Sequence, residues 1–329
     1  MELIGRKILV TGAAGFIGSH LVEELVKMGS IVRGFVQYNP NHNLDNLEKI
    51  PEEILRKVEI FMGDLKNIES VKGAMKDIEV VFHLGAQISI PYSYVDPRDF
   101  IETNIIGTLN VLNASREFNV KKIIITSTSE VYGTALYTPI DEKHPLQPQS
   151  PYAATKVGAD KIAESFYKTY NLPIAIIRPF NTYGPRQSMR AVIPTIIAQA
   201  LTNDRIKIGS LNPKRDFNYV KDVVEGFIKV AESPNTIGET INIGSGKTIS
   251  VGEIVEIVRN ILGKNFEVEV EDERTRPENS EVMILLCNNS KAREKILWEP
   301  KTSIEEGLRE VVKYIRENLR EYKQEKYHI

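Results

Sequence analysis

Tyr152 and Lys156 stand four residues apart in the stretch "PYAATK". On a helix this spacing puts both side chains on one face, one turn apart. An ordinary tyrosine ionises at about pH 10, so it is a poor base at neutral pH. A nearby ammonium favours the phenolate. A tyrosine tuned in this way can take the proton of a substrate hydroxyl while hydride leaves the same carbon. A second set of chemical side chains lies upstream in "TSTSEVYG", which holds Thr128, Ser129 and Glu130 after the apolar run "KKIIIT". A carboxylate among hydroxyls at the end of a strand is a candidate general base.

Hydride chemistry needs an acceptor, and the first turn of the chain offers a place for one. "VTGAAGFIGSH" follows an apolar run and carries Gly12, Gly15 and Gly18, with Phe16 and Ile17 opening a helix. Glycines at this spacing let the backbone turn tightly and approach a pyrophosphate at the helix N-terminus. Sites specific for NAD usually place an acid on the ribose at the end of the second strand. Here the stretch is "GFVQYNPNHN", so Gln37 and Asn39 are the candidate ribose donors, and the first carboxylate is Asp45. The nearest arginine, Arg33, precedes the loop on the strand. This favours NAD and leaves NADP open. "SGKT" at 245–248 looks like the end of a triphosphate loop, but position 241 is Ile241 where that motif needs glycine, so it reads as a turn.

The elements that hold these residues follow from periodicity. Short β-branched runs alternate with amphipathic stretches from "KILVTG" to "PIAIIRPF". The alternation predicts a doubly wound parallel α/β sheet with helices on both faces. "NIIGTLNVLNASREF" and "PYAATKVGADKIAESFYKTY" read as helices. Beyond Phe180 the pattern loosens: "KIGSLNPKRDFNYV" reads as irregular, "FEVEVED" as a lone strand, and the C-terminal stretch as a charged, fraying helix. The predicted division is a dinucleotide-binding domain over 1–180 plus about 217–246. A smaller mixed α/β substrate domain takes about 181–216 plus 247–329.

Composition excludes several classes. The chain has 329 residues, a formal net charge of −2 and one cysteine, Cys287. Nothing in this balance calls for nucleic acid or an anionic membrane. The five histidines are scattered, so no metal site is predicted. The chain begins without a signal-peptide pattern and has no membrane-length apolar run, so a cytoplasmic protein is expected.

The motifs together resemble the extended short-chain dehydrogenase/reductase family, the nucleotide-sugar enzymes. The resemblance runs through "TGAAGFIGSH", "GD" at Gly63–Asp64, "VFHLGA", "TSTSEVYG", "YAATK", "RPFNTYGPRQ", "RDFNYVKDVV" and "RPENSEV". It implies a Rossmann-type sheet with a tightly bound nicotinamide cofactor and a small sugar-nucleotide domain. It implies an adenine contact at Asp64, a further cofactor contact at Leu65, and a cofactor wall at Leu84 and Ala86. Substrate contacts would fall to Gln87, Ser89, Thr128, Asn181 and Val192, with Arg215 and Arg276 gripping the diphosphate. A homodimer through helices at about 101–117 and 152–170 is also implied, with Ala153, Ala154 and Gly158 permitting close approach.

The family resemblance implies oxidation at C4 of a hexose, and Glu130 points to the step after it. A 4,6-dehydratase must remove the C5 proton, acidified by the 4-ketone, and expel the C6 hydroxyl. The segment resembles that of the GDP-mannose-type dehydratases, with Ser129 where dTDP-glucose dehydratases carry an acid. "SPYAATKVGADKIAESFYK" resembles the dehydratases of nucleotide-linked N-acetylglucosamine in legionaminic-acid-type pathways. The expectation is therefore an NDP-sugar 4,6-dehydratase acting on UDP- or GDP-N-acetylglucosamine. UDP-glucuronate decarboxylase and NDP-hexose 4-epimerase are the alternatives. A non-enzymatic dinucleotide sensor is disfavoured, because Tyr152, Lys156, Thr128 and Glu130 are all kept.

Overall fold

The computed structural model describes residues 1–271 and 282–322. The first part alternates strand and helix: β1 (Lys7–Thr11), α1 (Phe16–Lys27), β2 (Ile31–Gln37), α2 (Glu52–Leu55), β3 (Glu59–Gly63), α3 (Ile68–Met75) and β4 (Val80–His83). It continues with α4 (Ile90–Val95), α5 (Pro97–Phe100), α6 (Gly107–Glu117), β5 (Lys122–Thr126), α7 (Pro151–Tyr170) and β6 (Ile174–Pro179). The later part holds β7 (Thr182–Tyr183), α8 (Val192–Thr202), β8 (Arg205–Ile208), β9 (Lys214–Arg215), β10 (Asn218–Tyr219) and α9 (Val220–Glu232). Then come β11 (Thr240–Ile243), β12 (Ile249–Ser250), α10 (Val251–Leu262), β13 (Glu267–Val270), α11 (Ser290–Ile296) and α12 (Ile304–Glu317).

The main sheet has seven strands in the order β11-β6-β5-β4-β1-β2-β3. Every pairing in it is parallel. The predicted doubly wound sheet is therefore what forms. Both faces are covered, which is why β4 and β6 are buried along their whole length. One face packs on α1 and α9 through Leu21, Val22, Val223 and Phe227. The other packs on α3, α6 and α7 through Val71, Val111, Leu112 and Phe166. The strand order reverses between β1 and β4, and that is where ligands enter such sheets.

α7 is long and firmly bounded. Ser150 caps it by accepting the Ala153 N–H at 3.1 Å, Pro151 opens it, and Asn171 closes it with a left-handed φ of 53°. The stretch read as one α-helix over 104–118 differs from that reading. Residues Ile101–Ile106 form a π-helical turn between α5 and α6. The extra residue turns Asn104 inward, where it is 1% exposed.

The last third makes its own core from α8, α10, α12 and β8, around Ile196, Ile254, Leu308 and Val311. Two readings change here. "FEVEVED" is not alone: β13 pairs parallel with β8, whose last two residues, Lys207 and Ile208, begin the stretch read as irregular. The terminal helix is held firmly up to Glu317, because Leu308, Val311, Val312 and Ile315 are buried and Ser303 and Glu306 form a capping box; the part of the fraying reading that falls on 323–329 lies outside the described residues.

Candidate active site

Gly12 ends β1 with φ +69°, and a Cβ there would lie 2.8 Å from the Gly85 nitrogen. A Cβ on Gly18 would lie 2.1 Å from the Gly12 carbonyl oxygen. The first loop, the start of α1 and the turn after β4 thus meet at backbone distance. Gly15 is the helix cap, and no side chain bonds across it. Phe16 and Ile17 supply the first turn, whose N–H groups face the loop end of the helix. These features fit a dinucleotide pyrophosphate, which needs close backbone approach and helical amides.

His83 locks this junction. The Thr108 hydroxyl donates to the Asn104 carbonyl at 2.6 Å, so it accepts from His83 Nε2 at 3.0 Å. Burial drives the His83 pKa down to about 3, so the ring is neutral. Its Nδ1 then accepts from Thr11 Oγ1 at 2.7 Å, and Thr11 accepts the Gly85 N–H at 3.0 Å. Leu84 and Ala86 flank Gly85 and are half-buried.

Of the two candidate ribose donors, Gln37 is exposed at the end of β2. Asn39 is committed to its own loop, accepting Asn43 N–H and donating to Asn43 O, both at 2.9 Å. Arg33 is tied away from the site by the carbonyls of Ala74 and Lys76, at 2.8 and 2.9 Å. Asp64 stays half-exposed and accepts the Lys66 N–H at 2.8 Å. Leu65 is buried, and its carbonyl is held by Asn110 Nδ2 at 2.8 Å.

Thr128, Ser129, Glu130, Tyr152 and Lys156 come together where β5 meets the head of α7. Thr128 caps a short 3-10 turn, Ser129–Tyr132, and accepts the Glu130 N–H at 3.2 Å. Ser129 is buried, and Glu130 is half-buried. Tyr152 is buried, which raises its pKa; a hydrogen bond with Thr128 pulls it down, and the Glu130 and Asp160 charges push it up. Glu130 is therefore close enough for its charge to act on the phenol. Lys156 Nζ donates to the Thr126 carbonyl at 2.6 Å. Burial lowers the Lys156 pKa to about 8, against the pull of Asp160.

The other expected substrate contacts are spread over several separate elements. Gln87 is held by Asn104 Oδ1 at its N–H (2.8 Å) and by Asp99 at its side chain (2.9 Å). Ser89 caps α4. Asn181 follows β6, and its Oδ1 is buried with no partner among the described residues. Val192 opens α8 and is half-buried. Arg215 is buried on β9, donating to the Lys214 carbonyl at 3.2 Å. Arg276 lies outside the described residues. "SGKT" is a turn, as read. The N–H groups of Ser245 and Gly246 donate to Asp216 at 2.7 and 2.9 Å, so an internal carboxylate takes the place of a phosphate.

Residues 9–311 match the family model described as GDP-mannose 4,6 dehydratase. The chain belongs to that family. The UDP-glucuronate 4-epimerase of Thermodesulfobacterium geofontis is 35% identical, over 94% of this chain and 96% of its own. The dTDP-D-glucose 4,6-dehydratase of Mus musculus is 33% identical, over 97% of this chain and 91% of its own. Among solved structures, TunA, described as an NAD-dependent NDP-hexosamine 5,6-dehydratase of tunicamycin biosynthesis, superposes with a TM-score of 0.83 at 28% identity. It covers 95% of this chain and 98% of its own. The family thus spans epimerases and dehydratases of nucleotide sugars.

Four supporting residues escaped the sequence reading: Asn104, His83, Asp160 and Arg178, which pairs with Asp160 at 2.8 Å. Asp160 had a signal, since it sits four residues beyond Lys156. His83 was visible only as one scattered histidine, and Asn104 depends on a π turn that helical periodicity does not reveal. Among the described residues no group of side chains could hold a metal ion, and no helix is long and apolar enough to cross a membrane.

Proposed function

We propose that the chain is an NDP-hexose 4,6-dehydratase, with a nucleotide-linked N-acetylglucosamine as substrate. The observation that carries this reading is Glu130, placed beside Thr128 and acting electrostatically on Tyr152. Tyr152 takes the proton of the sugar 4-hydroxyl, and the Lys156 ammonium one helix turn away works against the burial and the Glu130 and Asp160 charges that raise its pKa. Thr128 orients that hydroxyl. A nicotinamide dinucleotide held by the cradle of Gly12, Gly15 and Gly18 would supply the hydride acceptor for C4 and the hydride donor for C6. Glu130 takes the C5 proton, which the 4-ketone acidifies, and the C6 hydroxyl leaves as water; once hydride has returned to C6, C5 is protonated from solvent through Glu130. Ser129 carries no ionisable acid, so the same Glu130 supplies the leaving-group proton. NAD is the reading for the cofactor, because Arg33 is committed to carbonyls and cannot meet a 2′-phosphate. The NAD-dependent hexosamine dehydratase among the structural relatives supports both the cofactor and the amino sugar.

The epimerase relative supports a second reading. A 4-epimerase needs Tyr152 and Lys156 but has no use for a base at C5. Incubation with UDP- and GDP-N-acetylglucosamine, UDP-glucuronate and dTDP-glucose separates the classes by product mass. Loss of one water from an N-acetylglucosamine nucleotide is expected. An unchanged mass with inverted C4, or loss of carbon dioxide from the glucuronate, overturns the proposal.

A further inference from the structure

Three consecutive residues at the end of β5 each hold one residue of α7. The Thr126 carbonyl accepts from Lys156 Nζ at 2.6 Å. Ser127 Oγ donates to Asp160 Oδ2 at 2.8 Å. Thr128 bonds the Tyr152 phenol. Residues 152, 156 and 160 are successive positions on one helix face. The middle contact lies behind the reacting pair and is fully enclosed: Asp160 is 0% exposed and Ser127 is 4% exposed. Asp160 is fixed from the far side by Arg178 on β6, with Nη2 at 2.8 Å and Nε at 3.2 Å. Arg178 also donates to the Tyr132 hydroxyl at 3.0 Å, which donates to Asn242 Oδ1 on β11 at 2.7 Å. A buried chain therefore runs across β11, β6 and β5 and ends on the catalytic helix.

We infer that Asp160 is a positioning residue, which sets the register of α7 against the end of β5 and keeps a negative charge one turn from Lys156. The inference rests on sugar oxidation by Tyr152 and Lys156, and holds for a dehydratase or an epimerase alike. Asp160 does not touch the substrate. It acts by fixing Ser127, so that the neighbours Thr126 and Thr128 meet Lys156 and Tyr152. Its second oxygen, Oδ1, is buried with no hydrogen-bond partner among the described residues. The other charged or titratable groups around Lys156 are Tyr152 on its own helix, neutral His83 on β4, Glu130 and Tyr132 after β5, and Arg178 on β6. On the helices packed against α7, Asp99 and Glu102 are engaged by Lys66 and Arg98.

The test uses the holoenzyme with UDP-N-acetylglucosamine and follows the rate of sugar oxidation in a single turnover against pH. Asp160→Asn should shift the alkaline limb to lower pH by about one unit, because the field that keeps Lys156 protonated is gone. Ser127→Ala keeps the ion pair and should slow oxidation about tenfold with KM and the limb unchanged. Asp160→Glu should restore the limb. Lys156 itself can be titrated by NMR in carbon-labelled protein without substrate, and its midpoint should fall in Asp160→Asn. That measurement stands even if the sugar proves not to be oxidised, which would instead refute the reaction reading. If Asp160→Asn does not fold, Ser127→Ala decides the matter. An unmoved limb and Lys156 midpoint in Asp160→Asn, or wild-type oxidation by Ser127→Ala, overturns the inference.

Discussion

Glu130 and Tyr152 divide the proposed reaction between two side chains, and single substitutions should separate their steps. Glu130→Gln keeps Thr128, Tyr152 and Lys156, so it should still oxidise C4 and then stall. Overall turnover should fall by about 10²–10⁴-fold while the reduced-nicotinamide absorbance rises. Dehydration at near wild-type speed would make Glu130 a structural residue. Lys156 gives a pH dependence with a definite sign. Its pKa is lowered to about 8 by burial, so the ammonium that favours the phenolate is lost as pH rises through that value. The oxidation rate should hold below about pH 8 and decline above it, read in single turnovers. The proposed reacting residues stood out in the sequence because their types and spacing are chemically restrictive. Their supports did not, because Ser127, Asp160 and Arg178 meet only once β5, α7 and β6 are side by side.

The first loop and α1 make the glycine requirement testable at the scale of the element. Gly18→Ala would place a methyl against the Gly12 carbonyl, with a Cβ at 2.1 Å. The loop must shift, and dinucleotide binding should be lost or sharply weakened in calorimetry while the fold persists by circular dichroism. The commitment of Arg33 to backbone carbonyls predicts that NAD outcompetes NADP in reconstituting apo-enzyme; the reverse preference would contradict it. Strand and helix alternation was readable up to Phe180, since buried parallel strands read as short continuous apolar runs and helices as amphipathic stretches. It failed where geometry is local and irregular. The π turn at Ile101–Ile106 has the same apolar pattern as an α-helix, and the two-residue strands β9 and β10 are too short for any period. Gly158 shows another limit. Its small size was read as room for a second copy, yet a Cβ there would meet Ile105 of the same chain at 2.9 Å.

Across the whole molecule, α1 carries the cofactor loop on one end and docks the "YGPRQ" segment along its side. His20 Nε2 donates to the Pro185 carbonyl at 2.9 Å, and Glu23 pairs with buried Arg186. Burial, aided by Arg186, lowers the His20 pKa from 6.5 to about 4. Between those values the unfolded chain binds a proton that the folded chain refuses. Stability should therefore be highest above about pH 6.5 and fall towards pH 4, read from denaturant midpoints, and His20→Gln should flatten the slope. A homodimer remains our proposal for assembly. Ile88, Tyr94, Val95, Ile101 and Ile106 stay exposed around α4 and the π turn, and Tyr170 at the end of α7. Light scattering at micromolar concentration should give twice the chain mass, and a monomer would refute it. The central claim is that Glu130 removes the C5 proton of a C4-oxidised amino sugar. Turnover of UDP-N-acetylglucosamine in heavy water tests it most directly. The account predicts a 4-keto-6-deoxy product lacking one water, with solvent deuterium at C5 and the former C4 hydrogen at C6. A product of unchanged formula, epimerised at C4 and free of deuterium at C5, would contradict it.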